Sequence, residues 1–223
     1  MRSKLAARLL TALYTVAIAL LIVTFSIGLP IYVRPFYYAH IGPLDLVEDT
    51  GRTVEQIKEG YNEVLDYLTL PGREFSAGDF GYSEEGKSHF EDCKVLFDLN
   101  AVALLVSAVL ALSLWLLNKR RLIDLQRPWG FAPSAVASTA VLALFVVLGA
   151  LVAIDFNAAF TAFHTLFFPG KSNWLFDPAT DEIILALPET FFMNCAILIG
   201  ASVIAISALL VLRGLRQRKR RSE

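Results

Sequence analysis

Histidine is the side chain whose ordinary pKa, near 6.5, lets it both take and give a proton at neutral pH. This chain has three: His40, His89 and His164. His89 stands in Tyr82-Ser-Glu-Glu-Gly-Lys-Ser-His-Phe-Glu-Asp-Cys-Lys94, about ten residues before a long uncharged run. Asp92, three residues on, shares its helical face and is placed to hold the imidazole in one tautomer. His164 stands in Phe-His-Thr-Leu-Phe-Phe-Pro, about ten residues after another uncharged run, and on a helix it stacks between Phe160 and Phe168. Taken singly, a histidine at such a position is more often structural than catalytic. Two at matching distance from uncharged runs, one beside an acid and one among aromatics, point to paired acid–base chemistry.

Other chemistries find less support. An activated nucleophile is not recognisable, because the chain has no G-x-S-x-G elbow. Cys93 is a candidate only through lying four residues after His89, on the same helical face. Cys195 falls within an apolar run and reads as a small packing residue. A Cys93–Cys195 disulfide is conceivable and nothing else in the sequence supports it. The chain has neither H-E-x-x-H nor paired-cysteine spacing, so a zinc site would need scattered ligands. Glycine-rich phosphate loops are also absent, which argues against a nucleotide-driven transporter.

Composition says what must position the histidines. Of 223 residues, 56% are hydrophobic and only 18% charged, against about 25% charged in a soluble domain. A soluble globular enzyme and a disordered chain are both excluded. Four stretches run uncharged for about the 20 residues that a bilayer requires: Leu9–Val33, Leu99–Asn118, Pro128–Ile154 and Thr190–Leu212. The first follows Arg2, Lys4 and Arg8. It is too long for a signal-peptide apolar segment, lacks an A-x-A cleavage site, and reads as a retained helix. The spans hold no Asp, Glu, Lys, Arg or His, which disfavours an ion-coupled transporter.

The net charge of −1 hides a strong asymmetry. The N-terminus, loop 119–127 and tail 213–223 carry 13 Lys and Arg against two acids, Asp124 and Glu223, a net of +11. Segments 34–98 and 155–189 carry seven Lys and Arg against 19 acids, a net of −12. The positive-inside rule puts both termini and loop 119–127 in the cytoplasm. Segment 34–98 is then an extracellular cap, and 155–189 an extracellular aromatic-rich loop. All three histidines lie outside. The basic tail Arg213–Arg221 reads as a stop-transfer signal and anionic-lipid anchor rather than a nucleic-acid arm.

The cap is too long for a plain connector. Thr53-Val-Glu-Gln56 fits a capping box. Val54, Ile57, Tyr61, Val64, Leu65 and Leu68 then recur at helical spacing, and Pro71-Gly72 ends the run. The expectation is an amphipathic helix over Thr53–Leu70. Tyr82–Phe97 is expected to form a second helix that leads into the Leu99 span, and Tyr32, Phe36, Tyr37 and Tyr38 an interfacial aromatic belt. In the second loop Phe156, Phe160, Phe163 and Phe167 share one helical stripe. Eight of the 16 phenylalanines fall between Asp155 and Phe192. An interfacial helix explains most of them. Asp177, Asp181 and Glu189 read as turn and helix-capping acids.

Together these residues resemble a known family. The motifs are Tyr61-Asn62 with Tyr67-Leu68, Ser83-x5-His89-x2-Asp92, and the long ordered run Phe163-His164-x2-Phe167-Phe168-x5-Trp174-x-Phe176-Asp177-x3-Asp181-x5-Leu187-Pro188-Glu189-x-Phe191-Phe192. They resemble those of the bacterial lipoprotein intramolecular transacylase (Lit) family, over nearly the whole chain. The resemblance implies an all-α membrane protein of four transmembrane helices with an extracytoplasmic cap, multi-pass in the bacterial plasma membrane. It implies an acyltransferase acting on a diacylated bacterial lipoprotein. The sn-2 acyl chain moves from glycerol to the free N-terminal amine, giving the lyso form. The family's two catalytic histidines map to His89 and His164; histidine chemistry suits one as general base and the other as general acid, without saying which is which, and Asp92, Asn62, Tyr61 and Ser83 are read as supporting residues. Phe160, Phe163, Phe167, Phe168, Trp174 and Phe176 would wall the acyl-chain pocket against water. No cofactor or metal is implied, membrane lipids are expected neighbours and nucleic acid is not, and the oligomeric state is left open. Since the substrate brings its own nucleophile, no serine or cysteine is needed. Two other readings remain open: a non-catalytic receptor or assembly protein binding a partner through its acidic cap, and a metal-dependent membrane hydrolase using His89, Asp92 and His164.

Overall fold

The computed structural model describes residues 4–222 and is helical throughout, with no strand among them. Arg2 and Glu223, counted in the charge reading above, lie outside the described residues. Four helices are long and apolar enough to cross a membrane. They are α1 (Lys4–Tyr32), α5 (Glu84–Lys119), α6 (Pro133–Ile154) and α9 (Glu189–Ser222). Their large side chains are widely exposed, Leu105 at 65%, Val146 at 58% and Ile204 at 50%, as a lipid-facing surface requires. Between them lie α2 (Arg34–Tyr38), α3 (Leu46–Thr50), α4 (Val54–Thr69), α7 (Phe156–Phe167) and α8 (Ile183–Ala186).

The expected boundaries shift in three places. The cap helix begun at Tyr82 and the Leu99 span are one unbroken helix, α5, because nothing between Glu84 and Lys119 breaks helix. The third span starts at Pro133 rather than Pro128. Trp129 and Gly130 take positive φ, 51° and 80°, so Pro128–Gly130 is a separate 3-10 turn and Pro133 opens the α-helix. The basic tail continues α9 rather than leaving it.

The chain forms two compact units. The first comprises residues up to 28, 100–150 and from 199 on. Its core clusters are small. Ile22, Val141 and Val203 form one, and Tyr14, Ala17, Ala111 and Leu114 another. Ser26, Ser107, Ser138 and Ser207 are fully buried, the small-residue packing that lets spanning helices approach closely.

The second unit comprises 29–99 and 151–198 and holds all three histidines. In it α4 starts as expected. Thr53 accepts from the Gln56 N–H, and the Gln56 side chain accepts from the Thr53 N–H at 3.0 Å, closing the capping box. Its inner face buries Ile57, Tyr61, Val64, Leu65 and Leu68. Tyr61 stacks flat on Tyr37 at 3.7 Å, and the buried Tyr37 hydroxyl donates to the Ala186 carbonyl at 2.8 Å. Asp155 caps α7 by accepting from the Ala158 N–H at 2.9 Å.

Candidate active site

The site depends on the first turn of α5. Ser83 is its N-cap, accepting from the Gly86 N–H at 2.9 Å. The Ser83 hydroxyl and backbone N–H both donate to Asp181 Oδ1, at 2.8 and 2.7 Å. Asp181 is 4% exposed, so a buried carboxylate from the second loop seats the positive end of this helix. The sequence reads Asp181 as a turn and helix-capping acid, and the helix its side chain serves is α5. Gly86 makes this possible, since a Cβ there would overlap Asp181 Oδ1 and meet Phe176 Cε1 at 3.0 Å.

His89 follows on α5 and His164 lies in the last turn of α7, both only 6% exposed. Their ring centroids are 5.7 Å apart. Aromatics close around the pair. Phe168 lies 4.9 Å from His89 and 5.7 Å from His164, and Phe176 lies 5.5 Å from His89. Trp174 stacks on His164 at 4.5 Å, with Phe160 at 4.3 Å and Phe163 edge-on at 5.4 Å. Five of the six expected wall residues thus touch a histidine ring. Phe167 contacts Phe163 instead and is 47% exposed.

A hydrogen bond fixes the tautomer of His164. His164 Nδ1 is 2.8 Å from the Phe160 carbonyl oxygen, which can only accept. Nδ1 therefore carries the proton, and Nε2 presents its lone pair. His89 Nε2 is 3.3 Å from Cys93 Sγ, and His89 Nδ1 is buried with no partner. Burial, with the charge of Asp92, pushes the Cys93 thiol up to about 12, so Sγ keeps its hydrogen and meets Nε2 as a neutral thiol, which can donate or accept. Both rings are neutral at pH 7. Burial, helped by the His164 charge, lowers His89 to about 4. Burial lowers His164 as well, outweighing the upward effect of the Phe160 carbonyl.

Asp92 departs from expectation. It makes no hydrogen bond to His89, although both stand on α5. Its carboxylate is taken by Lys171 at 2.5 Å and by the Asn173 amide at 3.0 Å, both from the loop after α7. Burial would raise Asp92, but these hydrogen bonds outweigh it and hold the acid below its ordinary range. Asp92 therefore fastens the second loop to α5, and its effect on His89 is through charge alone. Asn62 and Tyr61 also stand apart from the histidines. Asn62 Oδ1 accepts from the Tyr38 hydroxyl at 2.7 Å and from Arg34 at 3.0 Å, and Arg34 pairs with Asp66. Tyr61 reaches His164 only through the ring series Phe191, Phe192 and Phe160. Of the other capping acids, Asp177 accepts from the Ala179 N–H at 3.0 Å, and Glu189, in the first turn of α9, accepts from Asn157 at 3.2 Å.

Both cysteines are free, so the conceivable Cys93–Cys195 bridge is not formed. His89, Asp92 and His164 do not converge as a ligand set. Among the described residues no group of three or more His, Cys, Asp or Glu side chains is placed to hold a metal ion. Sequence reasoning missed Asn173, Lys171 and the role of Gly86. Their partners are about 80 residues away or more in the chain, and no local periodicity signals such pairing.

Comparison with known proteins decides the family. The family model described as "Lipoprotein intramolecular transacylase Lit" matches residues 12–192. The chain belongs to the Lit family. Its fold is similar to the in meso structure of the membrane-integral Lit transacylase from Bacillus cereus, with a TM-score of 0.85 and 26% identity, covering 98% of this chain and 99% of that one. A second structure of the Bacillus protein, with one histidine replaced by arginine, gives 0.77 and 26% over 98% and 95%. No curated protein sequence matches significantly. This Lit family member is therefore a multi-pass bacterial membrane acyltransferase, and the non-catalytic receptor reading is set aside.

Proposed function

We propose that this chain transfers the sn-2 acyl group of a diacylated lipoprotein to the α-amine of its N-terminal cysteine, with His89 and His164 as the catalytic residues. The observation that carries the reading is the pair of buried imidazoles, 5.7 Å apart, with a lone pair on His164 Nε2 and an unpaired Nδ1 on His89, which bears the proton when the Cys93 thiol donates to Nε2. The amine nitrogen attacks the ester carbonyl carbon, the C–N bond forms, and the carbonyl electron pair moves to oxygen. His164 Nε2 takes a proton from nitrogen. His89 Nδ1–H donates to the developing oxyanion, a task a neutral imidazole does well in a dry site. When the tetrahedral intermediate collapses, the C–O bond to glycerol breaks and the His164 imidazolium returns its proton to the leaving oxygen. His164 thus serves as base and then acid. At about 4, the His89 pKa is too low for it to act as an imidazolium acid, which is why its role is hydrogen-bond donation.

The wall of Phe160, Phe163, Phe168, Trp174 and Phe176 keeps acyl chains in and water out, which disfavours ester hydrolysis. Holding nucleophile and ester on one substrate molecule supplies about 7–11 kcal/mol at the upper range of effective molarity. The +11 and −12 charge division supports cytoplasmic termini with the histidines on the outer side. The test is expression in a bacterial host whose lipoproteins stay in the diacyl form, with N-termini read by mass spectrometry. The lyso form is expected from the native chain and should vanish with His89→Ala or His164→Ala at unchanged protein level. Full activity in either variant refutes the assignment.

A further inference from the structure

Asn173 of the second loop bonds α5 beside His89, as Lys171 does, and directly precedes in the chain the ring stacked on His164. Its side-chain NH2 donates to Asp92 Oδ2 at 3.0 Å and to Ser88 Oγ at 3.3 Å. Because the carboxylate only accepts, the amide must present nitrogen to it, and the orientation of the group is fixed. Oδ1 then faces the other way, where it is buried with no hydrogen-bond partner. Buried unpaired acceptors are rare in folded proteins. The same second unit contains another buried unpaired atom, His89 Nδ1, on the residue after Ser88. Trp174, the residue after Asn173, is the ring stacked on His164 at 4.5 Å. Two unpaired polar atoms and a free imidazole lone pair are therefore carried by adjoining pieces of chain. With His89 Nδ1 as the donor of the proposed mechanism, a ligand that satisfies all three offers one acceptor oxygen and two N–H groups.

We infer that Asn173 contacts the substrate, its Oδ1 accepting one N–H of the lipoprotein's α-amine. The inference rests on the transacylase reading above and assigns the group that recognises the nucleophile. The amine has two hydrogens to place. One is held by Asn173 Oδ1 and stays on nitrogen as the N–H of the product amide. The other lies on His164 Nε2 and is the proton that leaves. With both hydrogens directed, the nitrogen lone pair points at the carbonyl carbon, whose oxygen His89 Nδ1 receives.

The test uses two unreactive lipopeptides with ether-linked chains in place of the esters. One has the free α-amine, and the other has hydrogen in its place. Each is titrated as an inhibitor of acyl transfer to an ester-linked lipopeptide by the full chain in detergent. The native chain is expected to prefer the amine probe by about tenfold or more, as a hydrogen bond to a charged or strongly polar group implies. In Asn173→Ala the ratio should fall severalfold, to what the His164 Nε2 contact alone supplies. Asn173→Leu, which keeps the volume, should do the same, and this separates the contact from packing. A loop that merely loosens weakens both probes equally, so a ratio unchanged in both variants overturns the inference. A native chain that makes lyso product yet binds both probes alike overturns it too, while leaving the transacylase reading standing. A native chain that makes no lyso product overturns both.

Discussion

Replacing Asp181 with alanine tests how one carboxylate of the second loop positions a histidine that this carboxylate never touches. Asp181 is 4% exposed and accepts from Ser83 N, Ser83 Oγ and, more weakly, Thr180 Oγ1 at 2.7, 2.8 and 3.4 Å. Alanine removes a negative charge from the positive end of α5, worth about 0.3–1 kcal/mol. It also leaves the half-buried Ser83 donors unpaired, at about 1–3 kcal/mol. With non-additivity, the expected loss is about 2–3 kcal/mol. For a chain of this size that is a fall of several degrees in melting temperature, at roughly 2–4 °C per kcal/mol. Ser83 and His89 are six residues apart, a span of about 9 Å along the helix. A first turn that frays or tilts will therefore displace the imidazole, and about 1 Å of misplacement costs on the order of 100-fold in rate. The assay pairs thermal unfolding in detergent with the initial rate of acyl transfer to a synthetic diacylated lipopeptide. Asp181→Ala should lose far more rate than stability, and Asp181→Asn, which keeps an acceptor, should recover much of both. A variant with native melting and native rate refutes the argument that this carboxylate seats the catalytic helix.

Three further expectations follow from the same geometry. Cys93→Val should slow transfer by up to about tenfold, the worth of one modest hydrogen bond, while Cys93→Ser, which keeps a donor for His89 Nε2, should restore it; equal rates in the two variants contradict the tautomer assignment. NMR titration of histidine-labelled protein should find His89 near 4 and His164 below 6.5. Because folding lowers both values, the unfolded chain binds protons first as pH falls, so stability is full above 6.5 and declines as pH drops toward 4; a folded chain that gains stability over that window contradicts the burial argument. Gly86→Ala should destabilise the fold and depress activity together, because the added Cβ strikes both Asp181 and Phe176, and a neutral result in melting and rate would sink that contact.

Hydropathy, charge asymmetry and helical spacing exposed most of the scaffold because each is a local property. Four lipid-facing helices need long uncharged runs, and a capping box needs residues three apart. His164 between Phe160 and Phe168 follows from i±4 spacing alone. What the sequence could not show is pairing across loops. Asp92 looked like the partner of His89 because i and i+3 share a face, but a helix face is a direction and not a contact. Lys171 and Asn173, 79 and 81 residues away, compete for the same carboxylate and win it. Cys93, one residue further round the turn, reaches the ring instead. The consequence is chemical as well as geometric. Had Asp92 bonded His89, its negative charge would have favoured the imidazolium and raised the histidine's pKa. With the acid turned to Lys171, and a protonated thiol beside the ring, His89 stays neutral. In the proposed mechanism, diverting that one carboxylate leaves His89 a neutral hydrogen-bond donor beside the base His164, which is what an acyl transfer through an oxyanion requires.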